Sequence, residues 1–129
     1  MPYYQFTAPA GSATLVRKAE IAAAFTKVHC DVTGAPSSYV QCSFTEVAAD
    51  SIFVAGEPVT GPRMVGLVRE GRSKDLRAKL LHGLADAWCA ITGDAKDDVA
   101  LFLLEQPGAN IFEDGVILPE ASQDPGAIS

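Results

Sequence analysis

Pro2 is the first residue whose chemistry stands out in this sequence. Methionine aminopeptidase usually removes Met1 when the second residue is small, and this processing would leave a secondary amine. An α-amino group has a reference pKa of about 7.7–8.0, and an apolar site, supplied here by Tyr3, Tyr4 and Phe6, would lower that pKa. Such an amine could move protons at neutral pH. The alternative, a Met-Pro start with no function, is favoured on the dipeptide alone.

A second candidate is the run Arg69–Ser73, which reads Arg-Glu-Gly-Arg-Ser. It joins a predicted strand to a predicted helix, with Ser73 as the N-cap. Two guanidinium groups, those of Arg69 and Arg72, beside a helix N-terminus are suited to hold a carboxylate. A solvated loop in which either arginine pairs with Glu70 explains the pattern equally well.

Two further side chains are ambiguous by themselves. His29 lies near the end of a predicted helix, at the border of its apolar stripe, and a lone helical histidine is more often structural than functional. Glu113 precedes an Asp-Gly turn, where a surface carboxylate is the ordinary case. We find no glycine-rich phosphate loop, zinc-ligand spacing or serine-nucleophile elbow, so no cofactor or metal is predicted.

An internal repeat at a spacing of 59 residues organises these candidates. The stretch 29–34 aligns with the stretch 88–93, and both end in Thr-Gly, which is typical of a helix C-terminus. Each copy has the pattern strand, helix, strand, over residues 2–46 and 61–105. The predicted elements are, in chain order, a strand at Tyr3–Thr7, a helix from about Ser12, strands at Tyr39–Glu46 and Met64–Arg69, a helix after Ser73, and a strand at Val99–Leu104.

Two such units predict one α+β domain over residues 1–129, a two-layer sandwich. Its four-stranded mixed sheet should carry both helices on one face. Since Val99–Leu104 has apolar side chains on both faces, the uncovered face predicts oligomerisation. Ile52–Val54 is predicted as a short strand followed by a connecting loop at Glu57–Pro62. In the C-terminal segment 111–129, Ile111–Leu118 is predicted as a hairpin, and the tail after Pro119 as loose or draped over a neighbour.

Composition narrows the possible partners. The chain has 129 residues with 10 Lys+Arg against 16 Asp+Glu, a net charge of −6, and no basic cluster, which argues against nucleic-acid binding. No apolar run is long enough for a membrane span, and the start lacks the pattern of a signal peptide. Three cysteines without a CxxC pair indicate reduced thiols, and we therefore expect a cytoplasmic protein.

Taken together, these features resemble the tautomerase superfamily, and within it the cis-3-chloroacrylic acid dehalogenase group. The resemblance rests on Met1-Pro2 with Tyr4, the run 29–34, the Arg69–Ser73 junction, and the segment 111–119 with its glutamate. It spans nearly the whole chain up to Pro119. The resemblance implies a cofactor-independent enzyme that acts on small unsaturated or 2-keto carboxylates, and a homotrimer whose subunits complete each other's sheets.

The resemblance also implies roles for individual residues. Pro2 would be the amine that transfers a proton at the carbon next to the carboxylate. Arg69 and Arg72 would hold the substrate carboxylate and withdraw charge as an enolate develops, and His29 would add a hydrogen bond to it. Glu113 would orient or deprotonate a water for attack at the far carbon.

One position departs from the family pattern. The dehalogenases place a tyrosine beside the catalytic glutamate, whereas this chain has Phe102 there. The missing hydroxyl removes a hydrogen bond from the water site, a loss of about 1–3 kcal/mol. Tyr39 or Tyr4 could substitute for it. Keto–enol tautomerisation needs no activated water, so we expect tautomerase activity with weak dehalogenase or hydratase activity.

Two other functions stay open on the sequence. The first is an efficient cis-3-haloacrylate dehalogenase with a compensating hydroxyl, and the second is a non-catalytic binding trimer of the same fold. The joint presence of Arg69, Arg72, His29 and Glu113 favours an enzyme, because a binding module does not need that set.

Overall fold

A computed structural model describes residues 1–128; Ser129, the last residue of the predicted tail, lies outside them. The chain forms three α-helices and eight strands in this range, several of them very short. In chain order they are β1 (Tyr3–Pro9), α1 (Ala13–Val16), α2 (Lys18–Thr33), β2 (Gln41–Val47), β3 (Phe53–Val54), β4 (Glu57–Pro58), β5 (Arg63–Arg69), α3 (Lys74–Thr92), β6 (Ala100–Gln106), β7 (Phe112–Glu113) and β8 (Val116–Ile117).

The four long strands form the mixed sheet that the repeat predicted. Their order is β2-β1-β5-β6, with parallel pairs β1–β2 and β5–β6 and an antiparallel pair β1–β5 at the centre. Each parallel pair encloses one repeat unit, and the central pair joins the two units. In the central pair Tyr3 faces Leu67, so the start of β1 and the end of β5 lie side by side. The α+β fold class is therefore confirmed.

The core lies between one face of this sheet and the helices α2 and α3. Tyr4 and Phe6 point into it from β1, and Phe25 and Trp88 meet them from the two helices. Buried Trp88 donates its indole Nε1–H to the Thr14 hydroxyl at 3.0 Å, so its one polar atom is satisfied. This packing also places the Tyr4 ring edge-on to His29 of α2, near the N-terminus of β1.

Helix ends follow the local signals in the sequence. The Ser73 hydroxyl accepts a hydrogen bond from the Leu76 amide at 3.1 Å and caps α3, as predicted. Gly34 and Gly93 end α2 and α3 at φ values of 75° and 79°, in the left-handed region that glycine adopts without strain. The first predicted helix is divided in two, because Arg17 leaves the helical conformation at φ −107° and ψ 28°.

Two segments differ from the sequence predictions. The first residues of the predicted loop Glu57–Pro62 form β4, which pairs with β3 in a small hairpin. The tail after Pro119 is neither loose nor extended away from its own chain. Ala121 and Asp124 are buried, and the Ile128 amide donates to the Thr33 carbonyl at 2.9 Å. The tail has too few apolar residues to signal this docking, which depends on backbone and ionic contacts.

The outer face of the sheet carries exposed apolar side chains. Phe102 and Leu104 on β6 are about half exposed there. The predicted hairpin at 111–118 is present as β7 and β8, turning through Asp114 and Gly115, and it also exposes large apolar side chains. No helix in the described range has both the length and the apolar character needed to cross a membrane.

Candidate active site

Five separate segments meet at one end of the sheet. The N-terminus of β1 lies beside the C-terminus of β5 because the two strands are antiparallel. The β7–β8 hairpin and the tail cover this end, and α2 supplies a histidine from behind the sheet. Of the residues predicted from the sequence, the structure brings together the chain start, His29, Arg69, Arg72 and Glu113.

The N-terminal amine lies against a carboxylate. In the unprocessed chain the Met1 α-ammonium contacts both carboxylate oxygens of Glu113, and Met1 and Pro2 are buried. Burial lowers the pKa of this amine, and the effect outweighs the opposing influence of Glu113. The surroundings of the chain start therefore shift the amine toward its neutral form.

Gln41 is a member of this cluster that the sequence reasoning missed. Its Nε2 donates to Glu113 Oε1 at 2.6 Å. Gln41 begins β2 and pairs with Tyr3, so the parallel register of β1 and β2 carries it to the chain start. No local sequence pattern marks Gln41, because its position at the site depends on the pairing of β1 with β2. Gln41 holds one Glu113 oxygen in place.

His29 is fully buried and held as a neutral ring. The Tyr4 hydroxyl lies 2.6 Å from His29 Nδ1. Burial and the nearby positive charges of Arg72, the N-terminus and Arg69 lower the pKa of His29 to about 3. Burial raises the pKa of Tyr4, so the phenol keeps its proton and donates it to Nδ1. Nε2 then carries the imidazole proton, and this atom has no partner among the described residues.

Arg69 forms a buried ion pair within the chain. Its Nη1 donates to Asp124 Oδ1 at 3.0 Å and to the Pro119 carbonyl at 2.9 Å, and its Nη2 donates to Asp124 Oδ2. The Tyr39 ring lies over the guanidinium at 5.1 Å, a cation–π contact. Asp124 was not among the predicted site residues. No local motif marks it, since it comes from a tail 55 residues away from Arg69.

Arg72 differs from Arg69 in having a largely free guanidinium. It donates once, from Nη1 to the Arg69 carbonyl at 3.2 Å, and it forms no ion pair with a carboxylate of residues 1–128. Burial and the charge of Arg69 lower its pKa. Arg72 also lines a cavity of about 190 Å³ whose other walls are Gly71 and the tail residues Ala121, Ser122, Ala127 and Ile128.

Phe102 lies outside the cluster within a single chain. It is paired with Val65 in the middle of β5, four positions before the Arg69–Gln106 pair, or about 13 Å along the strands. Tyr4 and Tyr39 were suggested to replace the missing hydroxyl, but neither hydroxyl is hydrogen-bonded to Glu113. The Tyr4 hydroxyl binds His29, and the Tyr39 ring lies over Arg69. The Gln41 amide is the side-chain group that contacts Glu113.

No cluster of three or more His, Cys, Asp or Glu suited to a metal ion occurs among residues 1–128. The polar groups at this end of the sheet are instead one amine, two guanidinium groups, one neutral imidazole and one carboxylate held by an amide. This set can transfer protons and bind an organic acid.

Comparison with known proteins agrees with the architecture. The duplicated β-α-β units in one sheet define a tautomerase fold. The chain belongs to the tautomerase family described as "Putative oxalocrotonate tautomerase enzyme", whose model matches residues 1–127. A comparison with curated proteins finds no match.

Three solved structures illustrate the likeness. The chain is 27% identical to N1, a member of the cis-3-chloroacrylic acid dehalogenase family, with a TM-score of 0.89 over 94% of this chain and 86% of that one. It is 26% identical to Pt0534, solved after inactivation by 2-oxo-3-pentynoate, with a TM-score of 0.80 over 90% and 95% of the two chains. A fused 4-OT solved as a symmetric trimer shares the fold at 24% identity and a TM-score of 0.81, over 93% and 96%.

Proposed function

We propose that this chain is a tautomerase of small unsaturated or 2-keto carboxylates that uses the amine of Pro2 once Met1 is removed. The observation that carries the proposal is the buried chain start, where the α-amine lies against the Glu113 carboxylate and burial lowers the pKa of the amine. Family membership supports an isomerase-type activity. The inactivation of Pt0534 by an acetylenic 2-oxo acid supports a 2-keto carboxylate as the substrate class.

The proton transfer follows from the state of this amine. Removal of Met1 converts the nitrogen of buried Pro2 from an amide into a secondary amine at the start of the chain. A neutral amine there can take the proton from the enol hydroxyl and return it to carbon 3 of the substrate. The enol O–H bond breaks and a C3–H bond forms, while the double bond moves from C2=C3 to C2=O. The reaction is therefore balanced without a cofactor.

The substrate carboxylate binds on the other side of the amine. Arg72 offers unpaired N–H groups beside a small cavity, and His29 Nε2 offers a hydrogen-bond donor without a partner in the described chain. Arg69 lies nearby, but Asp124 neutralises its charge. Direct binding of the carboxylate by Arg69 stays a prediction from the sequence. Arg72 and His29 stabilise the negative charge that develops on the enolate.

Hydration or dehalogenation requires one more element, an activated water. Glu113 could accept a proton from that water, and the amide of Gln41 could fix its position in place of the missing tyrosine hydroxyl. In a cis-3-haloacrylate, protonated Pro2 would give its proton to carbon 2 while the water oxygen adds to carbon 3 and Glu113 takes a proton from that water. The resulting halohydrin then loses halide from carbon 3 as its hydroxyl proton passes to the now neutral Pro2, which leaves 3-oxopropanoate. We propose this as a weak side activity, with an efficient haloacrylate dehalogenase as the second candidate.

A homotrimer is the assembly that we propose. The half-exposed apolar residues on the outer face of β6 and on the β7–β8 hairpin need cover, and a related fused 4-OT is a trimer. Trimer formation would also allow Phe102 of one subunit to approach the site of a neighbour. Sedimentation velocity of the purified protein measures this directly.

The deciding experiment compares wild type with Pro2→Ala on an enol of an aryl or alkyl 2-keto acid. Intact-mass analysis first establishes that Met1 is absent in both proteins. We expect at least a hundredfold lower kcat/KM in the variant, because a primary amine at a shifted position replaces a fitted secondary amine. Equal turnover by both proteins, or full turnover by a preparation that retains Met1, would refute the role of Pro2. No turnover by wild type would favour the non-catalytic binding trimer.

A further inference from the structure

The buried pair of Arg69 and Asp124 is the feature that the proposed function does not use. Both side chains are almost fully buried, with exposed fractions of 1% and 3%. Two N–H donors of one guanidinium meet two oxygens of one carboxylate, which is the geometry in which arginine binds a carboxylate most strongly. Asp124 therefore has the same chemical relation to Arg69 that a substrate carboxylate would have.

The tail that carries Asp124 is docked by contacts that do not involve its charge. Gly126 packs so closely on Gly34 that a Cβ on Gly34 would lie 1.9 Å from the Gly126 carbonyl oxygen. The amide of Ile128 donates to Thr33, and Ala121 is buried at the other end of the segment. These contacts position the tail, and with it the Asp124 carboxylate, beside Arg69 independently of the ion pair.

The two arginines consequently offer different charges to a ligand. Arg69 is neutralised within the chain, and one of its nitrogens, the buried Nε, has no hydrogen-bond partner. Arg72 has no carboxylate partner in residues 1–128 and borders the cavity that the tail encloses. Because only one of the two arginines keeps an unmatched positive charge, the arginine pair is matched to a ligand with one carboxylate, and a second carboxylate would be buried close to that of Asp124.

We propose that Asp124 is a specificity-determining residue that restricts the site to monocarboxylates by occupying the guanidinium of Arg69. This inference rests on the proposed function for the location of the substrate. It predicts that freeing Arg69 from Asp124 opens a binding position for a second carboxylate. Removing the tail charge should thus change which acids bind more than it changes how fast the reaction proceeds.

The test uses two acids of equal length, 2-oxopentanoate and 2-oxoglutarate, which differ by a methyl group against a carboxylate. Isothermal titration calorimetry gives the Kd of each for wild type, Asp124→Asn and Asp124→Ala. We expect wild type to prefer the monocarboxylate, and the variants to shift the ratio of the two Kd values toward the dicarboxylate by about tenfold or more. Asp31→Asn, which removes an exposed carboxylate paired with Lys27, is the matched control and should leave the ratio unchanged.

Three results would overturn the proposal. An unchanged ratio in folded Asp124 variants would show that Arg69 does not reach the ligand. A parallel gain of tenfold for both acids would show that Asp124 is a displaceable occupant of the only carboxylate position. Loss of 2-oxopentanoate binding by a folded Arg69→Gln/Asp124→Asn double variant would show that Arg69 itself is the monocarboxylate ligand.

The double variant also protects the test against misfolding, because it replaces the ion pair with two neutral groups of similar shape. We expect it to bind 2-oxopentanoate within a few-fold of wild type and 2-oxoglutarate no better than wild type. Circular dichroism confirms the fold of each protein. Since calorimetry needs no turnover, failure of the Pro2 proposal would appear as absent catalysis with the Kd ratios still shifted, and the two failures are distinguishable.

Discussion

Because His29 is buried as a neutral ring, the protein should be unusually sensitive to mild acid. His29 is fully buried, and burial together with Arg72, the N-terminus and Arg69 lowers its pKa to about 3. In the unfolded chain the same side chain titrates near 6.5. Below pH 6.5 the unfolded state therefore binds a proton at His29 that the folded state does not bind. For this reason the free energy of unfolding falls as the pH decreases toward 3.

The size of the effect follows from this difference. Each pH unit below 6.5 costs about 1.4 kcal/mol, so at pH 5.0 the contribution of His29 amounts to a loss of about 2 kcal/mol of stability relative to pH 7.5. A variant without this histidine should lack that loss. We therefore expect His29→Gln to lose about 2 kcal/mol less than wild type between the two pH values, even where glutamine lowers its stability at pH 7.5.

Urea unfolding monitored by the fluorescence of buried Trp88 measures the free energy at both pH values. Carboxylates that titrate in the same range are common to both proteins and cancel in the comparison. His82→Gln, which removes the exposed histidine of α3, is the matched control and should follow wild type. If wild type and His29→Gln lose equal free energy between pH 7.5 and pH 5.0, His29 is not held neutral by its surroundings, and its assignment as an Nε2–H donor fails.

Three further predictions concern binding, water activation and packing. Arg72→Ala should lower kcat/KM on a 2-keto acid enol by about thirtyfold to a thousandfold, with partial recovery in Arg72→Lys, and near-normal turnover would remove Arg72 from the carboxylate site. Glu113→Gln should suppress turnover of cis-3-chloroacrylate more than enol tautomerisation, whereas Phe102→Tyr should raise the former and leave the latter within a few-fold. Steady-state kinetics of both reactions decide this, and an equal loss of both in Glu113→Gln would contradict the division. Thr14→Val should cost about 1–3 kcal/mol in urea unfolding, because it leaves the Trp88 indole N–H buried without an acceptor; an unchanged midpoint would show that the bond contributes nothing.

The α+β fold was predictable because its signals are local and repeated. The apolar spacing of α2 and α3, the serine cap at Ser73 and the Thr-Gly helix ends all lie within a few residues of the structures that they determine. Duplication then constrained the topology, since two β-α-β units sharing one sheet leave few strand orders. The division of the first helix at Arg17 and the pairing of β4 had no comparably strong local signal.

The site was predictable only where a motif or a family resemblance marked it. His29, Arg69, Arg72 and Glu113 were candidates from the sequence, and the structure gathers them at the start of β1. Gln41 was missed because an exposed glutamine at the beginning of a strand has no distinctive pattern.

The sequence alone determined the elements, the duplication and the types of charged group available, because helix periodicity, strand alternation and capping act over a few neighbouring residues. The tertiary structure decided how those charges are used. Arg69 and Arg72 stand three positions apart in one motif, yet Asp124 neutralises the first while the second keeps its charge. That distinction depends on a contact between residues 55 positions apart, made by a tail whose docking rests on backbone packing of Gly34 and Gly126. Long-range backbone contacts of this kind leave no periodic signal in the sequence.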